Sequence, residues 1–222
     1  MRKFMAAPMA GLMVLAIAAP VLAAPNVSNT SGSGKSIYGE WSSEGTYGYV
    51  FLGEETGYGG FGDIYQESGQ YVECEGGAVP PPDKGGVAPQ DTTPGDEFYG
   101  FVGTRTYGWA TDLHLTLSKR LDTGTATGTA ELYTETIDEC QGIFGGDPVS
   151  ETVAINVTAT AAGPLASFKG SGQYKIPSEF NGHSSYRGSE RQATGSVDAG
   201  PIDATFTFGY MSQVSWSEHV NS

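Results

Sequence analysis

Residues 111–136 read TDLHLTLSKRLDTGTATGTAELYTET, and their polarity alternates with a period of two residues. Leu113, Leu115 and Leu117 share one face of an extended chain, while the polar residues between them point the other way. After a turn at residues 122–124, small and apolar side chains return at every second position. Because such alternation is typical of half-buried strands, this segment predicts a β-hairpin.

The same period recurs later in the chain. Residues 153–160 and 168–176 form two alternating runs separated by Gly163 and Pro164, which together predict a second hairpin. Residues 203–216 place a further set of apolar side chains on one predicted face, namely Ala204, Phe206, Phe208, Tyr210, Val214 and Trp216. Weaker strands are predicted at residues 45–53, 64–74, 97–110 and 186–197.

These strands predict an all-β protein with a single antiparallel domain of the meander type. Each clear strand has one apolar and one polar face, which is the pattern of an antiparallel sheet with one side in the core. Two stacked sheets or one sheet closed on itself would bury that face, so a sandwich and a barrel both remain open. The runs add up to about eight or nine strands, a common number for either architecture.

Residues 1–24 have the pattern of a cleaved secretory signal peptide: basic residues, a short apolar stretch and a small-residue end. We expect a flexible segment at residues 25–36, the β domain at 37–217 and a tail at 218–222. The apolar stretch is shorter than the roughly 20 residues of a spanning helix, so no membrane span is expected after cleavage. The predicted location is secreted or in the cell envelope, either extracellular or periplasmic.

The chain has 11 Lys and Arg residues against 25 Asp and Glu residues, a formal net charge of −14. Such a charge repels nucleic acid and anionic lipid, so neither is an expected partner. The oligomeric state is left open.

Cys74 and Cys140 are the two cysteines of the chain. In an exported protein a single pair predicts a disulfide, here with one possible connectivity. A loop of this length corresponds to about 4 kcal/mol in the chain-entropy description of disulfide stabilisation. The pair is therefore predicted to be structural, since neither Cys has the neighbours that a metal site requires.

Residues 75–97 contain five prolines and no periodicity, which predicts a long surface loop. A loop of this length is often either functional or mobile, and both interpretations remain open.

Gly57, Gly59 and Gly62 match the G-x-G-x-x-G spacing of a dinucleotide-binding loop. That loop requires a following helix, whereas the residues after Gly62 alternate like a strand, so the glycines predict a turn. The three histidines stand apart from one another in the sequence, and they are interpreted as solvated side chains. No cofactor, metal site or catalytic residue is predicted.

Aromatic residues beside glycines are the candidate ligand-binding residues, because flat side chains near turns can line a cleft or stack on a sugar. The candidates are Trp41, Tyr58, Phe61, Tyr99, Tyr107 and Trp109. They favour a secreted, non-catalytic binding or surface-interaction protein for a small molecule or glycan.

Two alternatives remain. A secreted glycoside hydrolase needs two facing carboxylates, and Glu131 and Glu135 lie on one face of a strand. Because they are roughly 13 Å apart along that strand, each needs a partner elsewhere. The other alternative is an extracellular structural protein without a ligand.

Overall fold

The computed structural model describes residues 28–74, 99–176 and 180–221. The predicted signal peptide and the proline-rich loop lie outside these residues. The elements are β1 Ser28–Ser43, β2 Thr46–Glu55, β3 Gly59–Glu73, β4 Tyr99–Leu117, β5 Thr123–Asp138, a 3-10 turn Glu139–Gln141, β6 Ile143–Phe144, β7 Val149–Ile176, β8 Phe180–Ala199, β9 Ile202–Phe206 and β10 Phe208–Asn221.

The strands form one antiparallel sheet that closes on itself. Consecutive strands pair as a meander from β1 to β5 and on through β7 and β8 to β9, and β10 pairs with both β1 and β8. The ring confirms the all-β prediction and selects the barrel over the sandwich. Ten strands form, rather than eight or nine, because a short β6 pairs with β5 and the last run divides into β9 and β10.

The predicted second hairpin is wrong. Residues 153–160 and 168–176 belong to one continuous strand, β7, which pairs with β8 on both sides of an irregularity between Ala161 and Leu165. Pro164 lies in this irregularity, where its missing N–H removes no ladder hydrogen bond. Gly163 and Pro164 therefore interrupt the register of the strand without reversing the chain.

The single apolar face predicted for residues 203–216 is also wrong. Phe206 is 0% exposed in the core, whereas Phe208 is 43% exposed. The two residues lie on either side of a bend at Thr207, which separates β9 from β10. The bend shifts the alternation by one residue, so Met211 rather than Tyr210 is buried.

The described parts of both terminal segments lie in strands. The described part of the N-terminal segment lies in β1, where Ser28 pairs with Val220. Residues 218–221, assigned to a tail, lie in β10.

The core fills the inside of the ring with aliphatic side chains together with Met211, Trp41 and Phe206. One end is closed by the turn between β4 and β5, from which Leu121 enters the core at 0% exposure. Leu121 has a φ of 54°, a left-handed conformation that turns its side chain into the ring. We call this the plugged end.

The opposite end carries the disulfide between Cys74 and Cys140, whose Cα atoms are 5.2 Å apart. We call it the disulfide end. Within the described ranges, no helix is long and apolar enough to cross a membrane.

Four strands continue past the plugged end as an open sheet, in the order β7, β8, β10 and β1. We call this sheet the extension, and it consists of residues 165–176, 180–191, 213–221 and 28–35. Along β7 it reaches roughly 35–40 Å, from the rise per residue of a strand. The extension positions the candidate site.

Candidate functional site

On each strand, the alternate positions that point into the ring continue along the strand onto one face of the extension. We call this face the inner face. On β1 the series passes from buried Ile37 to Lys35, and on β10 it passes from buried Met211 to Gln213. On β8 it passes from buried Ala193 to Arg191. Side chains that are apolar inside the ring thus give way to polar side chains as soon as the strands leave it.

The pairing register arranges this face in rows that cross all four strands. Neighbouring strands are about 4.8 Å apart, and successive rows are roughly 7 Å apart along the strands. From β7 to β1 the rows are Ser167, Ser189, Gln213 and Lys35; Lys169, Arg187, Ser215 and Ser33; Ser171, Ser185, Ser217 and Ser31; and Gln173, His183, His219 and Asn29.

Hydroxyl groups link neighbouring strands within these rows. The Oγ atoms of Ser185 and Ser217 are 2.9 Å apart, within hydrogen-bond distance. Arg187 donates from Nε to Ser215 Oγ at 3.4 Å. Each serine hydroxyl can both donate and accept, so the rows offer a surface that suits either type of polar group on a ligand.

Lys169 and Arg187 are directly opposite each other on β7 and β8. Both side chains are exposed, and neither forms an ion pair with any residue that the structure describes. Like charges opposite each other across two strands destabilise a sheet. A shallow depression surrounds this pair. It is lined by residues 169–171 of β7, 185–187 of β8 and 215–217 of β10, so it takes in Tyr186 and Trp216 as well as the serines and the two cations.

Basic residues are concentrated around this face. Three of the 11 Lys and Arg residues lie outside the described ranges, which leaves eight. All of these except Arg105 lie either on the inner face of the extension or on the β4–β5 turn at its base. They are Lys35, Lys119, Arg120, Lys169, Lys175, Arg187 and Arg191.

Two hydrogen bonds attach the β4–β5 turn to the base of the extension. Gln213 donates from Nε2 to the carbonyl oxygen of Lys119 at 3.2 Å, and Arg191 donates to the carbonyl oxygen of Arg120 at 3.2 Å. Arg191 also pairs with Asp122. The plug and the extension are therefore held together at the position where the inner series becomes polar.

The disulfide end has the opposite charge. Its turns and strand ends carry Glu44, Glu73, Asp138, Glu139, Asp147, Glu151, Asp198 and Asp203. The net charge of −14 is therefore distributed unevenly along the long axis of the molecule.

The outer face of the extension is aromatic and glycine-rich. Phe168 and Tyr186 have ring centroids 6.4 Å apart. A Cβ atom at Gly188 would lie 2.4 Å from Phe168 and 2.6 Å from the carbonyl oxygen of Gln213, so the ring packs directly over the glycine. Phe168 thus faces outward and does not join the core.

The structure separates the predicted aromatic residues. Trp41 is 6% exposed in the core and donates from Nε1 to Gln66 at 3.2 Å. Tyr58 lies in the turn between β2 and β3, and Tyr99 begins β4 near the disulfide end. Phe61 packs against Phe51 on the outside of the ring, with centroids 6.1 Å apart.

Tyr107 and Trp109 are the candidates that the structure brings together. Their ring centroids are 6.2 Å apart and their ring planes are perpendicular. Both rings also contact Tyr133. They lie on the convex outside of the ring, where Trp109 is 57% exposed. Neither ring lines the depression around Lys169 and Arg187.

A row of four tyrosines crosses the outside of β2 to β5, consisting of Tyr49, Tyr65, Tyr107 and Tyr133. The Tyr49 and Tyr65 rings stack with centroids 5.5 Å apart. Stacking uses the ring faces that a sugar would otherwise contact, so this row supports the sheet through cross-strand pairs.

Arg105 lies beside the tyrosine row and joins two carboxylates. It binds Glu67 at 2.9 Å and Glu135 at 3.2 Å. Partial burial and a hydrogen bond with Glu67 raise the pKa of Tyr65 to about 12, so its hydroxyl stays protonated at neutral pH. Burial lowers the pKa of Arg105, but hydrogen bonds to Glu67 and Tyr65 raise it by more, so the guanidinium stays charged.

The carboxylates considered for hydrolysis do not form a facing pair. Glu131 is exposed on the convex outside of β5, and Glu135 is bound to Arg105. A hydrolytic pair needs two carboxylates that face each other, whereas these two lie on the same side of one strand.

The glycine motif and the residue types that commonly bind metal ions also have defined positions. Gly57 and Gly59 have φ angles of 91° and 81° in the β2–β3 turn, and Gly62 lies within β3, so the turn interpretation holds. His114 lies on the outer face of β4. Among the residues with described positions, no three His, Cys, Asp or Glu side chains are close enough to hold a metal ion.

No protein-family profile, curated protein or solved structure matches this chain. Sequence reasoning missed Lys169, Arg187 and the serines around them. A usable signal was present, because residues 119–120 and 169–191 hold six of the 11 basic residues of an acidic chain.

Proposed function

We propose that this protein is a non-catalytic binding protein that holds an anionic glycan on the inner face of its extension. The opposed cations Lys169 and Arg187, which have no carboxylate partner among the described residues, carry the proposal. An anionic group placed between them would replace repulsion with two charge-assisted hydrogen bonds. The loss of the repulsion adds to the gain from the new contacts.

The rows on either side of the pair favour a sugar as the carrier of that charge. Ser171, Ser185, Ser215 and Ser217 present hydroxyl groups that can donate to and accept from sugar hydroxyls. The inner rows of the described extension contain no Phe, Tyr or Trp, the platforms on which single-stranded nucleic acid stacks its bases.

The predicted signal peptide supports a location outside the cytoplasm, where such a glycan is accessible. Cell fractionation and the mass of the mature chain test this location. A mature product in the cytoplasm that still carries residues 1–24 would contradict it.

Binding to dextran sulfate, with uncharged dextran as the reference, tests the proposal by calorimetry at several salt concentrations. We expect dextran sulfate to bind and dextran to bind at least about tenfold more weakly, with the difference shrinking as salt screens the charges. The double variant Lys169→Gln/Arg187→Gln should lose about tenfold or more in affinity.

The matched control is Thr125→Glu/Thr127→Glu, which lowers the net charge by the same two units on the outside of β5. It should change the affinity by less than about threefold, because these positions are far from the face and are screened. An equal loss in both variants would mean that net charge alone governs binding. Release of reducing sugar would instead favour the hydrolase alternative.

A further inference from the structure

Two of the three histidines of the chain face each other across the extension. His183 on β8 and His219 on β10 are register partners, and both belong to the inner face. Directly opposed residues on antiparallel strands have Cβ atoms about 5 Å apart, so one ion can reach both imidazoles. His114 lies on the outer face of β4.

A neighbouring amide fixes the chemistry of one ring. Nδ1 of His219 is in hydrogen-bond contact with Oδ1 of Asn29, its register partner on β1. An amide oxygen only accepts, so Nδ1 is the donor in this contact, and in the neutral ring Nε2 then has the free lone pair. Metal-bound histidines commonly donate their second ring N–H to an oxygen in this way.

We propose that His183 and His219 form a two-imidazole site for a late first-row divalent metal, with Cu²⁺ the tightest binder. Imidazole nitrogen suits this class of ion, and affinity across the series peaks at Cu²⁺. Water completes the coordination, because the described residues supply no third His, Cys, Asp or Glu. Two protein ligands make this a site of modest affinity.

The charges around the pair do not prevent binding. Lys175 is the nearest cation on the inner face, one row beyond Gln173, the register partner of His183. Lys169 and Arg187 lie two rows in the other direction, roughly 14 Å along the strands, a distance over which salt screens repulsion. The site depends on the histidine row alone and does not require a glycan.

The test is a titration of the mature protein with Cu²⁺ alone, followed by calorimetry and by electron paramagnetic resonance. We expect one saturable equivalent of modest affinity whose spectrum shows two nitrogen ligands. His183→Ala and His219→Ala should each weaken binding by about tenfold or more and change the spectrum. His114→Ala removes a histidine from the outer face and should change the affinity by less than about twofold.

Two results would overturn the proposal: an unchanged affinity and spectrum in both His183→Ala and His219→Ala, or a loss in His114→Ala as large as in either. The variant Lys169→Gln/Arg187→Gln separates this site from the proposed glycan face. It should bind Cu²⁺ at least as tightly as the natural chain, since nearby positive charge is removed.

Discussion

The ring and the extension are built from the same strands but reverse the polarity of their inner faces. On β8, Ala193 and Val197 point into the ring and are 0% exposed, whereas Ser185 and Arg187 continue the same series outside it. The alternation has the same period in both regions. What differs is closure, because a closed sheet removes its inner face from water and an open sheet does not.

The largest expected difference between the regions comes from the same charge placed at two positions of β8. Ala193→Asp would bury an unpaired carboxylate in the ring and should lower the free energy of unfolding by about 3–5 kcal/mol. Ser185→Asp should change it by less than about 0.5 kcal/mol, because the extension is solvated. Urea denaturation of both variants measures the contrast.

If Ala193→Asp does not fold, Ala193→Ser provides the milder comparison, with an expected loss of about 1–3 kcal/mol. Similar losses in the free energy of unfolding for the Ala193 and Ser185 variants would show that the extension excludes water as fully as the ring does.

The next effect concerns the disulfide end. Replacing both Cys74 and Cys140 with Ser should lower the free energy of unfolding by about 2–4 kcal/mol, mainly by releasing a constraint on the unfolded chain. The melting temperature measures this loss, with the natural chain under oxidising conditions as the reference. Dextran sulfate binding should stay unchanged, since the extension lies at the other end of the ring. An unchanged melting curve would contradict a stabilising bridge.

A smaller effect tests how the outer face of the extension is packed. Gly188→Ala should cost about 1–3 kcal/mol, because the new methyl group would meet Phe168 and a backbone oxygen. Gly172→Ala is the matched control on the same face, where a Cβ atom would meet only Ser184 Oγ at 3.3 Å. Chemical denaturation should separate the two variants. Equal costs would mean that Phe168 does not lie over Gly188.

The smallest effect depends on pH and lies at the junction of ring and extension. Glu54 accepts a hydrogen bond from the backbone N–H of Leu115 and pairs with Lys35 at 3.1 Å. The Leu115 bond, with Lys35, lowers the pKa of Glu54 below its usual 4.5. Its stabilising contribution is therefore present above pH 4.5 and disappears as the pH falls through the lowered value.

Glu54→Gln should thus lower the free energy of unfolding by about 1 kcal/mol or less at pH 7. It should have no measurable effect at a pH below the lowered pKa of Glu54, where the natural side chain is protonated. Unfolding curves of both proteins across this pH range measure the difference. A cost that grows on acidification would contradict this assignment.

The local part of the fold was predictable from the sequence, and the closure was not. The hairpin around Leu113 and Leu132 forms as expected because its strands are adjacent in the chain. The pairing of β1 with β10 closes the ring between residues as far apart in sequence as Ser36 and Ser212, which are 176 positions apart, and no periodicity reports it. The bend at Thr207 and the irregularity after Ala161 also depend on partners far away in the sequence.

The candidate site was missed for a related reason. Lys169 and Arg187 are isolated among Gly and Ser in the sequence, and only the register of β7 and β8 places them opposite each other. Trp41 shows the converse, since the size and flatness that made it a binding candidate also suit it to the core. Sequence patterns identify half-buried strands, but not which half faces a ligand.

The first and last strands, β1 and β10, are neighbours in the ring. The chain could therefore begin at a different strand without changing which strands lie side by side. Ser28 lies opposite Val220, so a short peptide could join the start of β1 to the end of β10, and new ends could be opened at the tight reversal around Gly200. A circularly permuted protein of this kind would keep every rung of the ladder, since each strand retains both neighbours.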